Sequence, residues 1–174
     1  MAMTDTPSPA VAESGVGRPA LVLGAAPGSP GLAALATRFR VFALADTGGA
    51  ADWVAAQGFE TLGVVGVGDA AGAALELASA LGEAADALVL VSPAAPPADA
   101  QRLAAPVCVL IGDRDADAAP LADWRRTLHA NVVLVFDAGA DILADRPDAF
   151  ASAAGDFLDR KARFAFADSA ALAR

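Results

Sequence analysis

The feature that most constrains this chain is an alternation. Short runs at 20–23, 41–44, 61–67, 87–91, 106–111 and 132–136 are apolar at nearly every position, and most end in Gly, Pro or Asp. A strand with one wet face alternates apolar and polar residues; a run apolar throughout reads as a strand covered on both faces, as in a parallel sheet. Between these runs lie Ala/Leu stretches of helical length at 30–37, 49–57, 69–81, 120–128 and 146–160. Asp69 stands where an N-cap belongs, Pro120 suits a first helical turn, and Gly82 suits a stop. Strand–helix alternation joined by right-handed crossovers predicts a doubly wound α/β domain with about six mainly parallel strands flanked by helices. In such a sheet ligands bind outside the carboxyl ends of the strands, where the winding reverses. The turns 24–30, 45–49, 66–72, 92–97, 112–120 and 137–141 are therefore the segments to search for chemistry.

A chain of 174 residues is ample for one such domain, assigned to 18–160. The Ser, Pro, Gly and Thr content before it predicts a disordered leader over 1–17. The segment 161–174 reads as a tail, or as an extension of the last helix, with Phe164 and Phe166 available to cover an open edge in the same copy or a neighbouring one. The formal net charge of −9 opposes binding to nucleic acid or to an anionic membrane, both of which need a basic surface. No apolar run approaches the roughly 20 residues that span a bilayer, and the first residues lack the basic head and apolar core of a secretory signal. A soluble cytoplasmic protein is expected. One cysteine, Cys108, and one histidine, His129, cannot supply a disulfide or a zinc site of ordinary composition, so neither a metal nor a cofactor is expected. Cys108 lies inside an apolar run and reads as a small buried hydrophobe.

At its turns the chain resembles the α/β-hydrolase superfamily, from about Arg18 to Arg160. LVLGAAPGSPGLAALATRFRVFALADTGG is similar to the family's first two strands and the turns after them. GFETLGVVGVGDAAGAALELASALGEAADALVLVSP is similar to the nucleophile strand, its elbow and helix, and the strand that follows. APVCVLIGDRDADAAP is similar to the strand and turn bearing the triad acid. VVLVFDAGADILADRPDAFASAAGDFLD is similar to the last strand, the histidine turn and the terminal helix. The resemblance implies an α/β-hydrolase-like core, and the short link after Pro93 implies that it lacks a cap.

The catalytic positions are mostly vacated. The family's elbow is Gly-x-Ser-x-Gly, on a sharp turn that holds the serine clear of the sheet. Aligned without a gap, it is Gly66-Val67-Gly68-Asp69-Ala70 here, with Gly68 at the nucleophile position. Ala140, in Gly139-Ala140, stands for the histidine, and Gly24-Ala25 stands for the His-Gly pair near the oxyanion hole. Only Asp115 keeps the place of the triad acid. Loss of a serine triad's nucleophile or base costs about 10⁶ in kcat, so conventional ester or amide hydrolysis is not expected.

Other groups at the turns have plain readings beside sharper ones. Asp69 is a carboxylate suited to a helix start, although a shifted register would make it a nucleophile. With Asp115, and Asp141 beyond, it is the basis of an alternative in which carboxylates carry hydrolase or lyase chemistry. Ser29 and Ser92 have no base in the sequence and read as turn residues. His129 ends a helix on the sheet edge away from the active turns and reads as a cap or surface group. Asp113, Asp115 and Asp117 begin like a calcium loop, but Ala118 and Trp124 occupy positions needing Gly and Glu. Gly66-Val67-Gly68-Asp69-Ala70-Ala71 fits a loose dinucleotide fingerprint, against which Asp69 sets a negative charge beside the phosphates. The reading that follows is a binding protein or partner subunit. A small apolar or acyl-type ligand would be held near Gly24, Ala25, Gly68, Asp69, Ser92 and Ala140, and a homo- or hetero-oligomer remains open.

Overall fold

A computed structural model describes residues 10–98 and 103–161. The strands are β1 (Val11–Ser14), β2 (Arg18–Leu23), β3 (Phe39–Leu44), β4 (Leu62–Val67), β5 (Ala85–Val91), β6 (Val107–Gly112) and β7 (Asn131–Val135). The helices are α1 (Pro30–Leu35), α2 (Ala50–Gln57), α3 (Ala71–Leu81), α4 (Leu121–Leu128), α5 (Ile142–Asp145) and α6 (Pro147–Arg160). They form one seven-stranded sheet in the order β1-β3-β2-β4-β5-β6-β7, with β1 antiparallel and every other pair parallel.

The all-apolar strands have the predicted cause. Leu21, Leu23, Val64, Leu88, Leu90, Val109 and Ile111 face one core, filled from α2, α3 and α4 with Trp124 among its largest side chains. Ala20, Val22, Val65, Val89, Cys108 and Leu110 face the other, filled from α1, α5 and α6 with Phe150 and Phe157. Three helices on each face leave the central strands no wet side.

One expectation is corrected. The segment 11–14, assigned to a disordered leader, is a seventh strand at the sheet edge, paired with β3 from Val11↔Leu44 to Ser14↔Val41. An edge strand needs no continuous apolar run: half of β1 is exposed, and Glu13 holds Arg40 at 2.6 Å. Of 161–174, read as a tail or an extension of the last helix, only Lys161 is described: α6 stops at Arg160, with Lys161 at φ 54°. The rest of the tail, with Phe164 and Phe166, lies outside the described residues, as do 1–9 and most of the helical turn expected near 99–103. Among the described residues no helix is long and apolar enough to cross a membrane.

The amino end of the sheet is tied by charge. Arg18 at the start of β2 donates to Asp86 on β5 at 2.6 Å and to the Leu158 carbonyl of α6 at 3.1 Å. Lys161 reaches the same Asp86 at 2.9 Å, and Arg38 joins Asp156 and Asp159.

Candidate functional site

The order of the strands places the winding reversal at β2. The chain first steps from β2 to β3 on one side, then crosses to β4 on the other. An open cleft of about 540 Å³ lies at the carboxyl ends of these three strands, lined by Gly24, Ala45, Asp46, Thr47, Val67, Gly68, Asp69 and Ala70. That is where a doubly wound sheet is expected to take a ligand.

The turn from β4 into α3 gives the cleft its floor. Gly68 has φ +56°, a left-handed conformation that side chains rarely adopt, and a Cβ built there meets nothing within 4 Å. Two residues earlier the packing is the reverse: a methyl at Gly66 would run into Ala74 on α3, so strand and helix approach closely only because glycine is there. The chain reaches α3 through a single 3-10 turn, Gly68–Ala70. That turn moves the cap position to Ala70, and the Asp69 side chain makes no capping hydrogen bond. The cap expected of Asp69 is thereby corrected; it is an exposed carboxylate on the cleft wall.

The turns after β6 and β7 contact each other and do not line this cleft. Arg114 N donates to the Ala138 carbonyl at 2.9 Å, and Ala138 N donates to Asp113 Oδ1 at 3.3 Å. These bonds bring the turn after β6 against the turn after β7. Within the first, Asp115 accepts from Asp117 N at 3.2 Å, a local turn bond of the kind expected. Within the second, Gly139 N donates to Asp145 Oδ2 at 2.8 Å and Ala140 is exposed. Asp141 caps α5 by accepting from Ala144 N at 3.2 Å.

Solved structures share this fold. An α/β hydrolase from a metagenome of lagoon sediments at Mar Chica, Morocco, superposes with TM-score 0.71 at 16% identity, over 86% of this chain and 94% of that one. The thioesterase domain from a curacin biosynthetic pathway gives 0.67 at 13%, over 83% and 93%. Naproxen esterase from Bacillus subtilis gives 0.66 at 15%, over 84% and 86%. The chain has the α/β-hydrolase fold. No family model matches its sequence, and no curated protein is significantly similar to it.

Within the α/β-hydrolase fold, the turn after β4 has its left-handed residue at Gly68, a conformation glycine adopts freely. Of the residues expected to line a site, Gly24, Gly68 and Asp69 share the cleft. Ala25 does not: it is 4% exposed and packs in the core with α1. Ala140, Ser92 and Asp115 also lie outside the lining. Ser92 has φ 45°, donates its N–H to the Leu110 carbonyl, and leaves its Oγ buried without a partner. The backbone N–H of Gly24 is engaged by the Leu44 carbonyl at 2.9 Å, so it serves the sheet and not a ligand. Of the carboxylates expected to carry chemistry, Asp69 lines this cleft and Asp115 does not.

Asp46 and Thr47 were missed as site residues. Asp46 accepts from Gly48 N at 2.9 Å, an ordinary turn that carries no motif. Only the adjacency of β3 to β2 puts it beside Asp69. Two carboxylates on one cleft oppose a pyrophosphate, which argues against the dinucleotide reading. His129 caps α4 in the left-handed region and is exposed, on the edge away from the cleft. Cys108 is buried, and its thiol is pushed up to about 12 by burial, so it is no nucleophile. Among the described residues no three His, Cys, Asp or Glu side chains are grouped to hold a metal ion.

Proposed function

We propose that this protein is a non-catalytic α/β-hydrolase-fold binding protein that holds a small, uncharged, acyl-type group in the cleft between the ends of β2, β3 and β4. The observation that carries the reading is Gly68. The turn that would raise a nucleophile out of the sheet is built, φ +56° included, and ends in a hydrogen atom. The turn aligned with the catalytic histidine carries Ala140, so no imidazole stands there to activate a nucleophile. Asp115 then has no imidazole to orient. Donors and positioning alone support about 10³–10⁴ over water, far short of turnover on the biological scale.

The cleft keeps the apolar Val67 and Ala70 beside Thr47, while Asp46 and Asp69 set the charge. Like charges repel an anionic ligand at this distance scale, so free carboxylates and phosphates are selected against and neutral esters or amides are favoured. The test has two arms. Nitrophenyl esters should show no turnover above the uncatalysed rate, and a kcat of about 1 s⁻¹, the low end of ordinary enzymes, would overturn the reading. A panel of neutral acyl amides should raise the melting temperature where the corresponding carboxylates do not, and Thr47→Phe, which fills the cleft from its rim, should abolish that rise.

One observation favours a second reading, carboxylate chemistry on Asp69: Asp46 lines the same cleft. If an activity is found, Asp69→Asn should remove it at unchanged melting temperature; an unaffected rate dismisses that reading.

A further inference from the structure

We propose that the outer edge of β7 pairs antiparallel with β7 of a second copy of this chain, about a two-fold axis passing beside Val133. The two edges of the sheet are treated differently. At one, β1 is only four residues long, half exposed, and carries Glu13 paired to Arg40, the features that keep an edge strand from recruiting another. At the other, 131–136 reads Asn-Val-Val-Leu-Val-Phe, with no charge and no proline. Leu134 is 41% and Phe136 69% exposed, two of the three large apolar side chains exposed among the described residues. No described strand covers that edge.

The backbone limits the register. The Val135 carbonyl accepts from Asp113 N at 3.1 Å, on the β6 side. Because the N–H and C=O of one strand residue point the same way and alternate along the strand, 131, 133 and 135 bond inward. Val132 and Leu134 then turn their groups outward. A two-fold axis perpendicular to the sheet matches residues whose numbers sum to an even constant, and every such constant brings outward-turned residues together. Centring on Val133 pairs Val132 with the partner's Leu134, and Leu134 with the partner's Val132, within the strand and without the Phe136 carbonyl, which Arg146 Nη1 already holds. A surface that matches itself in backbone pattern and apolar side chains is what an isologous interface requires, and it commits the occupant to a second copy.

The experiment is sedimentation of the full 174-residue chain together with single-cysteine crosslinking. The wild-type chain should sediment as a dimer at micromolar concentration. Leu134→Lys should convert it to a monomer with its melting temperature preserved. Adding Val132→Glu to that variant should restore the dimer, since each lysine then faces a glutamate. On mild oxidation Val133→Cys should give a covalent dimer, because directly opposed, non-hydrogen-bonded residues lie about 4.5 Å apart between Cα atoms, within disulfide range. Buried Cys108 does not compete. A wild-type monomer overturns the proposal, as does crosslinking of Val132→Cys equal to that of Val133→Cys. So does a monomer that dimerises only when 162–174 are removed, which would assign the edge to the chain's own tail.

Discussion

Gly68 concentrates the functional question in one backbone angle. A side chain there has open space but an unfavourable φ, so Gly68→Ser should cost about 1–2 kcal/mol, the penalty for a left-handed non-glycine residue, read as a fall in melting temperature. By itself it should give at most stoichiometric acylation by a nitrophenyl ester and no turnover. Adding Ala140→His supplies a base on the turn already tied to the Asp115 loop by Arg114 and Ala138; ester turnover detectable above Gly68→Ser would show that the vacated geometry is still in register. Cys108 gives a prediction of opposite character. Its folded thiol is pushed up to about 12 from an ordinary value near 9, so the unfolded chain loses the proton first as pH rises. Stability from this group is intact below about pH 9 and falls between pH 9 and 12, and a thiol reagent at pH 8 should label the protein only after denaturant is added.

Elements were legible where burial dictates composition. The six strands β2–β7, and the helices other than α5, appear within a residue or two of where they were expected, because a strand covered twice has no freedom in what it carries. β1 was not legible, since an edge strand with Glu13 outward reads like any polar segment. The short α5 was missed for the same reason, as four residues hold no period. At the site, the glycines of the turn after β4 were legible, Gly66 because a Cβ there would meet Ala74 and Gly68 because its φ is left-handed. Asp46 was not, because its importance comes from β3 lying beside β2, a fact of topology that no local pattern carries. The misreading of Asp69 has a local cause in the 3-10 turn that shifts the cap to Ala70. The ion pairs at the amino edge belong to this scale as well. Asp86, whose side chain is 7% exposed, receives both Arg18 and Lys161 and so links β2, β5 and the end of α6. Asp86→Asn should destabilise by about 1–3 kcal/mol, the usual range for leaving such donors without their charged acceptor, with the loss visible in urea midpoints at unchanged slope.

For the molecule as a whole, the sequence of pairings has a kinetic consequence. From β5 to β7 each strand lies beside its predecessor in the chain, whereas β1 must wait for β3, and β2 is flanked by β3 and β4. Every parallel pairing closes a long loop before it is rewarded, so assembly is slow relative to a helical domain of this size. The 62–135 block can add strands in order, while the amino-terminal three have to be threaded onto its free β4 side. In a pulse-labelled refolding experiment, amides of β5 and β6 should gain protection before those of β2 and β3. A ribosome releasing this chain therefore delivers first the half that is finished last.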